Sequence, residues 1–492
     1  PHNLLFLLDY GVRNGKSEGL EAVRRTLKRM RYGGIYDQIA SGFHRYAVDR
    51  AWKIPHFEKM LVDQAFLLLA YARCGAWLGH NLSLRTAREL AGFITREMTS
   101  AEGLFHTAID ADSEGEEGVF YTWNLEEIHN SLTLTESALI EEIYHLRPEG
   151  NYLEERTGYP NGRNILYLTD DITDHARRLG MDEGHFQELL DELREKLLEI
   201  RSRRTRPATD DKILTDWNAL MIHALVKAGT WLDEPAWVET ARSAWAALLD
   251  RVMVDGRLHH LYRGGGAAVP GMAMDHVCMS LASLTLFEHG HDPGDMRFSL
   301  DMLEQAESMF GDPDHGGLFM NREDSGVPLG RQRDLIDTAT PSLNSLYGWL
   351  LYRLHRLTGR SEFNERLAQC LDLVGRWSGS AEKIAPFLLR TQVLNASTTV
   401  DVVICGRTDD PSLHQMAEVA ASFVKLEPCV LVLHEENAQE LHELCPFTRG
   451  MHPSEQAWAA LCTDHACQRP VHDAGELYAL LRQITPGQGL LR

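Results

Sequence analysis

The sequence predicts a mostly α protein: an (α/α)6 toroid of six helical hairpins over residues 1–398, then a small α/β module over 399–492. Three observations predict it. Apolar residues recur at three- and four-residue spacing through most of the chain, which marks amphipathic helices. An acid recurs at the start of a helix: Asp216, Asp275 and Asp337 stand about 60 residues apart, the length of one helical hairpin with its loops, and such repeats stack to bury a shared core. After about residue 398 β-branched runs begin to alternate with a helical one, the pattern of a small α/β unit.

The periodicity places helices near 2–13, 17–32, 56–76, 82–99, 124–145 and 182–202, then near 213–230, 235–253, 272–289, 294–310, 339–358 and 361–378. Paired in order they give six hairpins, and six hairpins can close into a ring whose inner helices line a central funnel. An open solenoid has the same period, so closure is an expectation. Short β-like segments, Leu104–Thr107, Leu258–Leu261 and Leu318–Met320, interrupt the helices. In the tail, Val400–Gly406 and Cys429–Leu433 read as buried strands flanking a helix near 411–425.

Composition narrows the function. Hydrophobic residues are 44% and charged residues 24% of 492, enough for a full core without staples. The net charge is −22, which argues against a protein that tracks nucleic-acid phosphates. No apolar run approaches the ~18 residues of a membrane span, so no membrane partner is expected. Eight cysteines without a C-x-x-C pair suit a reduced, cytoplasmic setting. No signal peptide precedes Pro1, and the abrupt opening reads as a piece of a longer protein. Cys462, His465 and Cys467, with Cys445, His452 and His472 nearby, have poor zinc spacing, so no metal and no cofactor is expected.

The stretch from Gly33 to Asp63 carries Asp37, His44, Arg45, Asp49, Trp52, His56 and Glu58 between two helices, and long ordered loops are usually functional. With a helix from about 56, Pro55 would sit in its first turn, Glu58 would lie at its positive end, and His56 and Asp63 would share one face. His44, Arg45, His56 and Glu58 then form a sugar or acid–base site. The plainer reading is a loop pinned by ion pairs and a buried Trp.

Asp110–Gly118 holds five carboxylates. It starts like a calcium loop, yet position five is Glu114 and position twelve is Tyr121, not the bidentate Glu required. Asp112 or Glu114 as a general acid or base, or a solvated acidic loop, are the other readings. Arg203, Arg204 and Arg206, beside Asp210, Asp211 and Lys212, could anchor a sugar carboxylate or phosphate or form salt bridges between helices. Asp216, Asp275 and Asp337 read singly as helix caps and together as a shared rim.

Four stretches carry a resemblance: Gly33–Tyr46 (GGIYDQIASGFHRY), Trp52–Leu61 (WKIPHFEKML), Asp110–Gly118 (DADSEGEEG) and Asp210–Asn218 (DDKILTDWN). In these the chain resembles the YyaL, or spermatogenesis-associated protein 20, family of thioredoxin-domain-containing proteins, over nearly its whole length. The resemblance implies a thioredoxin-like domain ahead of Pro1, then a toroid similar to N-acylglucosamine 2-epimerases and six-hairpin glycosidases. It carries over His44, Arg45, His56, Glu58, Asp112, Glu114, Asp211 and Trp217 as site positions without roles. The chain departs from the family at Ala40-Ser41-Gly42, where glycines are usual.

The expectation is a carbohydrate-active toroid with a sugar or sugar derivative in its funnel. In an epimerase, His44 and His56 would flank the sugar and move a proton beside a carbonyl. In a glycoside hydrolase, Asp112 and Asp211 would flank the scissile bond, and Glu58 completes the catalytic candidates. Arg45, Trp52, Glu114, Trp123, Trp217 and Asp275 would bind substrate, the aromatics by stacking. The alternative is a non-catalytic scaffold serving an attached redox domain.

Overall fold

The structure, a computed structural model, describes residues 1–152, 159–326, 328, 330–378, 385–424, 427–463 and 466–484. Six helices form a closed ring: α1 (His2–Asn14), α3 (Leu61–Leu78), α9 (Thr215–Leu232), α11 (Ala273–Gly290), α13 (Leu343–Thr358) and α15 (Pro386–Asn395). Each packs on the next in that order, and α15 packs back on α1. Outside them lie α2 (Ser17–Tyr32), α4 (Asn81–Phe93, extended by a π turn over Ile94–Met98), α10 (Pro235–Val252), α12 (Pro293–Phe310) and α14 (Ser361–Ser378), each against its preceding inner helix. The fold is therefore an (α/α)6 toroid. Sequence explains the layers. α3, α9, α11 and α13 are apolar on most faces and buried along most of their length, whereas α2 and α12 bury one stripe.

Four expectations are corrected. The sixth inner helix is α15, which lies beyond the twelve predicted segments. The region 124–145 does not run as one helix: α5 (Leu125–Ser131) stops and α6 (Leu134–Tyr144) restarts at a Thr133–Glu136 capping box. These two, with α7 (Ile172–Arg178) and α8 (Glu183–Arg201), surround a separate core around Trp123, Phe186 and Leu190 rather than completing a ring hairpin. The helix expected from 56 starts at Leu61; Pro55–His56 instead pairs with Tyr46–Ala47, and Lys59–Met60 with Ala108–Ile109. His56 and Asp63 thus share no helix face. Lastly, α3 is long and apolar enough by length and composition to cross a membrane, with mean hydropathy 1.2, against the expectation that no run approached this; here 83% of it is buried as a core helix.

A side-chain amide repeats around the ring. Gln64, Asn218 and Asn344 stand in the first turns of α3, α9 and α13, all fully buried. Each holds one residue of a crossing segment by both its backbone groups. Gln64 accepts from the amide of Phe43 and donates to its carbonyl, both at 2.8 Å. Asn218 does the same to Phe105 at 2.8 and 2.9 Å, and Asn344 to Leu318 at 2.8 and 3.0 Å. Buried backbone groups must find partners, and these amides supply them where the crossing segments have no full ladder.

Among the described residues, apolar side chains from all six inner helices meet inside the ring. Leu5, Phe66, Leu220, Leu281, Leu346, Trp349 and Phe387 converge there and leave about 10 Å³. At the end where the inner helices finish, Arg73 and Arg390 each pair with both Asp9 and Glu427. Glu427 leads into the tail sheet, so this buried network ties the tail to the ring. In that sheet Val400–Cys405 runs parallel to Cys429–Leu433 and antiparallel to Trp458–Thr463, which pairs with Ala466–Cys467. One face packs on α16 (Pro411–Ala421) and on α17 (Ala474–Ile484). The other, through Val403, Cys405, Leu431 and Leu433, joins the ring core. Cys462 and Cys467 are register partners joined by a disulfide, so they present no thiolate pair to zinc. His465 lies outside the described residues.

Candidate functional site

With apolar side chains meeting inside the ring and one end tied to the sheet, the end where the inner helices begin is left for chemistry. Asp216 in the first turn of α9 and Asp275 in the first turn of α11 meet there. The amide of Asp216 donates to Asp275 Oδ1 at 3.2 Å. A strand brings the third member: Arg257–Arg263 pairs Leu261 with Leu214 and Tyr262 with Ile213, which sets His260 beside both helix starts. His260 Nδ1 lies 2.9 Å from Asp275 Oδ1 and 3.1 Å from its Oδ2. The amide of Met272 also donates to Asp275 Oδ2, at 2.7 Å, so Asp275 caps α11 as well.

The electrostatics of this trio are uneven. Burial, then the negative charge of Asp275, pushes the Asp216 carboxyl up to about 7. The hydrogen bond to Asp275 raises His260 above the usual histidine range. Asp275 is wholly buried and Asp216 keeps 9% of its surface. The site therefore holds one carboxyl that is protonated near neutrality beside a carboxylate already satisfied by donors. Oxygen and nitrogen atoms of the three lie within 4.8 Å of one another, as do those of Asp312, Asp314 and His315. Either trio could offer ligands to a cation, but the Asp275 oxygens are engaged and the Asp314 and His315 side chains are exposed.

The predicted loop residues form a second group. The pairing of Tyr46 with His56 stacks their rings at 4.9 Å. His56 Nδ1 lies 2.8 Å from Glu117 Oε1, which also accepts from the amide of Phe57 at 3.1 Å. Arg45 donates to Glu58 Oε2 at 3.0 Å, and His56 Nε2 is 3.7 Å from the same oxygen. Asp63, at the start of α3, is pushed up to about 7 by burial, with Glu58 adding to the rise. The structure thus gathers Arg45, His56 and Glu58.

Other predicted residues are placed apart. His44 is buried with Nδ1 2.8 Å from the carbonyl of Phe57, and burial, aided by Lys59, lowers it to about 3. Asp112 is exposed in a hairpin, Asp112–Ser113 against Glu116–Glu117. Glu114 and Gly115 form its turn with φ of 57° and 82°, the pairing a two-residue turn favours, and Glu114 accepts from Thr205 at 2.6 Å. Asp211 pairs with Arg263 at 2.6 Å, half exposed. Trp123 has no exposed surface, and Arg204 lies 4.0 Å above its ring. Trp52 takes φ 56° at a loop corner, where its carbonyl accepts from Ile35 at 3.1 Å. Trp217 is half-buried beside Asp216. The Arg cluster forms ion pairs: Arg203 with Glu199, Arg204 with Glu127 and Arg206 with Glu97.

Sequence reasoning put Asp216 on a rim but not in the site, weighed Glu117 only as part of the acidic loop, and passed over His260 and Lys59. The repeat was the available signal: Asp216 and Asp275 occupy equivalent places, and His260 sits on the β-like segment between them.

No protein-family model matches the chain. It is 29% identical to spermatogenesis-associated protein 20 of Homo sapiens, over 98% of this chain and 65% of that protein. It is 26% identical to an uncharacterised protein of Caenorhabditis elegans, over 98% of this chain and 69% of that one. The chain thus spans about two thirds of the length of the curated relatives it matches. Among solved structures, a D-mannose isomerase aligns over 72% of this chain and 84% of its own at 12% identity and TM-score 0.36. An unsaturated glucuronyl hydrolase from Bacillus sp. GL1 aligns over 77% and 75%, also at 12% identity and 0.36. Along nearly its whole length, then, this chain is similar in sequence to spermatogenesis-associated protein 20.

Proposed function

We propose that the chain is a carbohydrate-active toroid that moves a proton on a sugar or sugar derivative at the end of the ring where the inner helices begin. One observation carries the reading: Asp216, Asp275 and His260 lie within 4.8 Å of one another, with the Asp216 carboxyl raised to about 7. Neighbouring groups whose environments hold them in different protonation states are the ordinary basis of acid–base roles. In an isomerisation, a base takes the proton from the carbon beside the carbonyl while an acid protonates the carbonyl oxygen, and the enediol collapses the other way. Asp216 is suited to the acid and the His260–Asp275 pair to the base. Trp217, half-buried beside Asp216, offers a stacking face.

A second reading is a non-catalytic scaffold for an attached thioredoxin-like domain. It is favoured by the pairing of the loop groups with one another, His56 with Glu117 and Arg45 with Glu58. A thermal-shift panel of aldoses, ketoses, N-acetylated amino sugars and uronic acids separates the two, run on wild type, Asp275→Asn and His56→Ala. A true ligand at a hundred times its Kd adds about 2.7 kcal/mol. A shift lost in Asp275→Asn supports the proton-transfer site; no shift from any sugar supports the scaffold.

A further inference from the structure

A second cavity lies off the ring axis, between α4 with its π turn, α8 and the segment 206–209. Its volume is about 60 Å³. Phe93, Ile109, Phe120 and Leu198 make an apolar wall. The buried end is ionic. Asp37 receives both terminal nitrogens of Arg201, each at 2.9 Å, and Lys59 Nζ at 2.8 Å. All three side chains are almost fully buried. At the exposed end Arg206 pairs with Glu97 at 2.6 Å.

The ion cluster does not satisfy itself. The Nε–H of Arg201 is buried and has no acceptor. Lys59 has three N–H donors; Asp37 takes one and the carbonyl of Ser41 another, at 2.9 Å. The remainder of that amine faces the rings of Phe93 and Tyr121, whose centroids lie 4.6 and 5.0 Å away. Buried donors without partners are rare and call for an explanation. Around the cavity three cationic side chains, Lys59, Arg201 and Arg206, outnumber two carboxylates, Asp37 and Glu97. An apolar wall with a few convergent polar groups is the usual make-up of a small-molecule site.

We propose that this cavity binds a short-chain carboxylate, its head group held by Lys59 at the buried end and its tail against Phe93, Ile109 and Phe120. The single excess positive charge matches one carboxylate better than a doubly charged phosphate. A water needs ~10–15 Å³ of such space, so the cavity takes a head group and a few carbons and is too small for a sugar ring. The site is separate from the Asp216–Asp275 pair and does not rest on the sugar reading.

The test is calorimetric titration with propanoate, and with propanamide as its uncharged counterpart. Wild type binds propanoate saturably and propanamide at least tenfold more weakly. Lys59→Met abolishes propanoate binding. Because that change leaves Asp37 short of a partner and could unfold the chain, Ile109→Phe provides the second variant: it fills the wall, leaves the ion cluster intact and also abolishes binding. No saturable propanoate binding in wild type, equal binding of propanamide, or unchanged binding in Ile109→Phe overturns the proposal.

Discussion

Asp216 and Asp275 stand in the first turns of neighbouring inner helices, and the amide of Asp216 donates to Asp275 Oδ1 at 3.2 Å. Two equivalent positions of a repeat thereby become unequal. Asp275 collects donors from His260, Met272 and Asp216, while Asp216, buried and then crowded by Asp275, keeps its proton up to about pH 7.

That inequality gives stability a pH dependence. A carboxyl whose folded pKa lies above its unfolded value binds more protons when folded. Stability is then full below the unfolded value, near 4, and falls as pH rises to about 7. Asp216→Asn removes this slope. Denaturant unfolding at pH 4.5 and pH 7 should show wild type losing more stability over the interval than the variant, by a few kcal/mol at most. Asp63 and Asp295 are raised too, so their shared contribution cancels in the comparison. Equal slopes would mean that Asp216 is ionised throughout.

His260 behaves in the same direction for a different reason. Its pKa is raised by the hydrogen bond to Asp275, so the stabilisation is present at low pH and lost as pH rises past the ordinary value of ~6.5. Titration of the His260 ring by NMR should give a higher pKa in wild type than in Asp275→Asn. An unchanged value would break the pairing.

The repeated amides predict large losses from conservative-looking changes. Asn218→Leu leaves the amide and carbonyl of Phe105 buried without their partners, at ~1–3 kcal/mol for each group. Urea unfolding should register a loss of about 2–6 kcal/mol, with Gln64→Leu and Asn344→Leu falling in the same range. A loss below 1 kcal/mol would show that water or rearrangement replaces the amide.

At the other end of the ring, Glu427→Ala leaves Arg73 and Arg390 sharing Asp9 alone. Removing one member of a buried ion network costs ~3–5 kcal/mol. The losses from Glu427→Ala and Asp9→Ala should be strongly non-additive in a double-mutant cycle. Additive losses would mean that the two carboxylates act independently.

Most of the ring was legible from periodicity, because α3, α9, α11 and α13 are buried helices with long apolar runs. α15 was not, since its ten residues carry almost no helical periodicity of apolar residues. Pro55 to Met60 misled for a related reason: Pro, Glu and Lys suit a helix start, but Lys59 is drawn into extended chain by its bond to Asp37. Asp275 was legible as a site residue because the repeat marked it. Its closeness to His260 depends on the pairing of Leu261 with Leu214, a long-range register that local sequence does not encode. Trp123 and His44 looked like ligand-facing groups, and burial is what local sequence does not reveal for an aromatic or a histidine.

The most direct measurement is solvent exchange. The chain would be incubated in D2O with aldoses and ketoses, each followed by proton NMR at the carbon beside the carbonyl. The account predicts loss of that proton signal, with or without a new isomer, for at least one sugar in wild type, and at least a hundredfold slower loss in a folded Asp275→Asn variant. No exchange in wild type with any sugar, or equal exchange in the variant, would contradict proton transfer at Asp216 and Asp275.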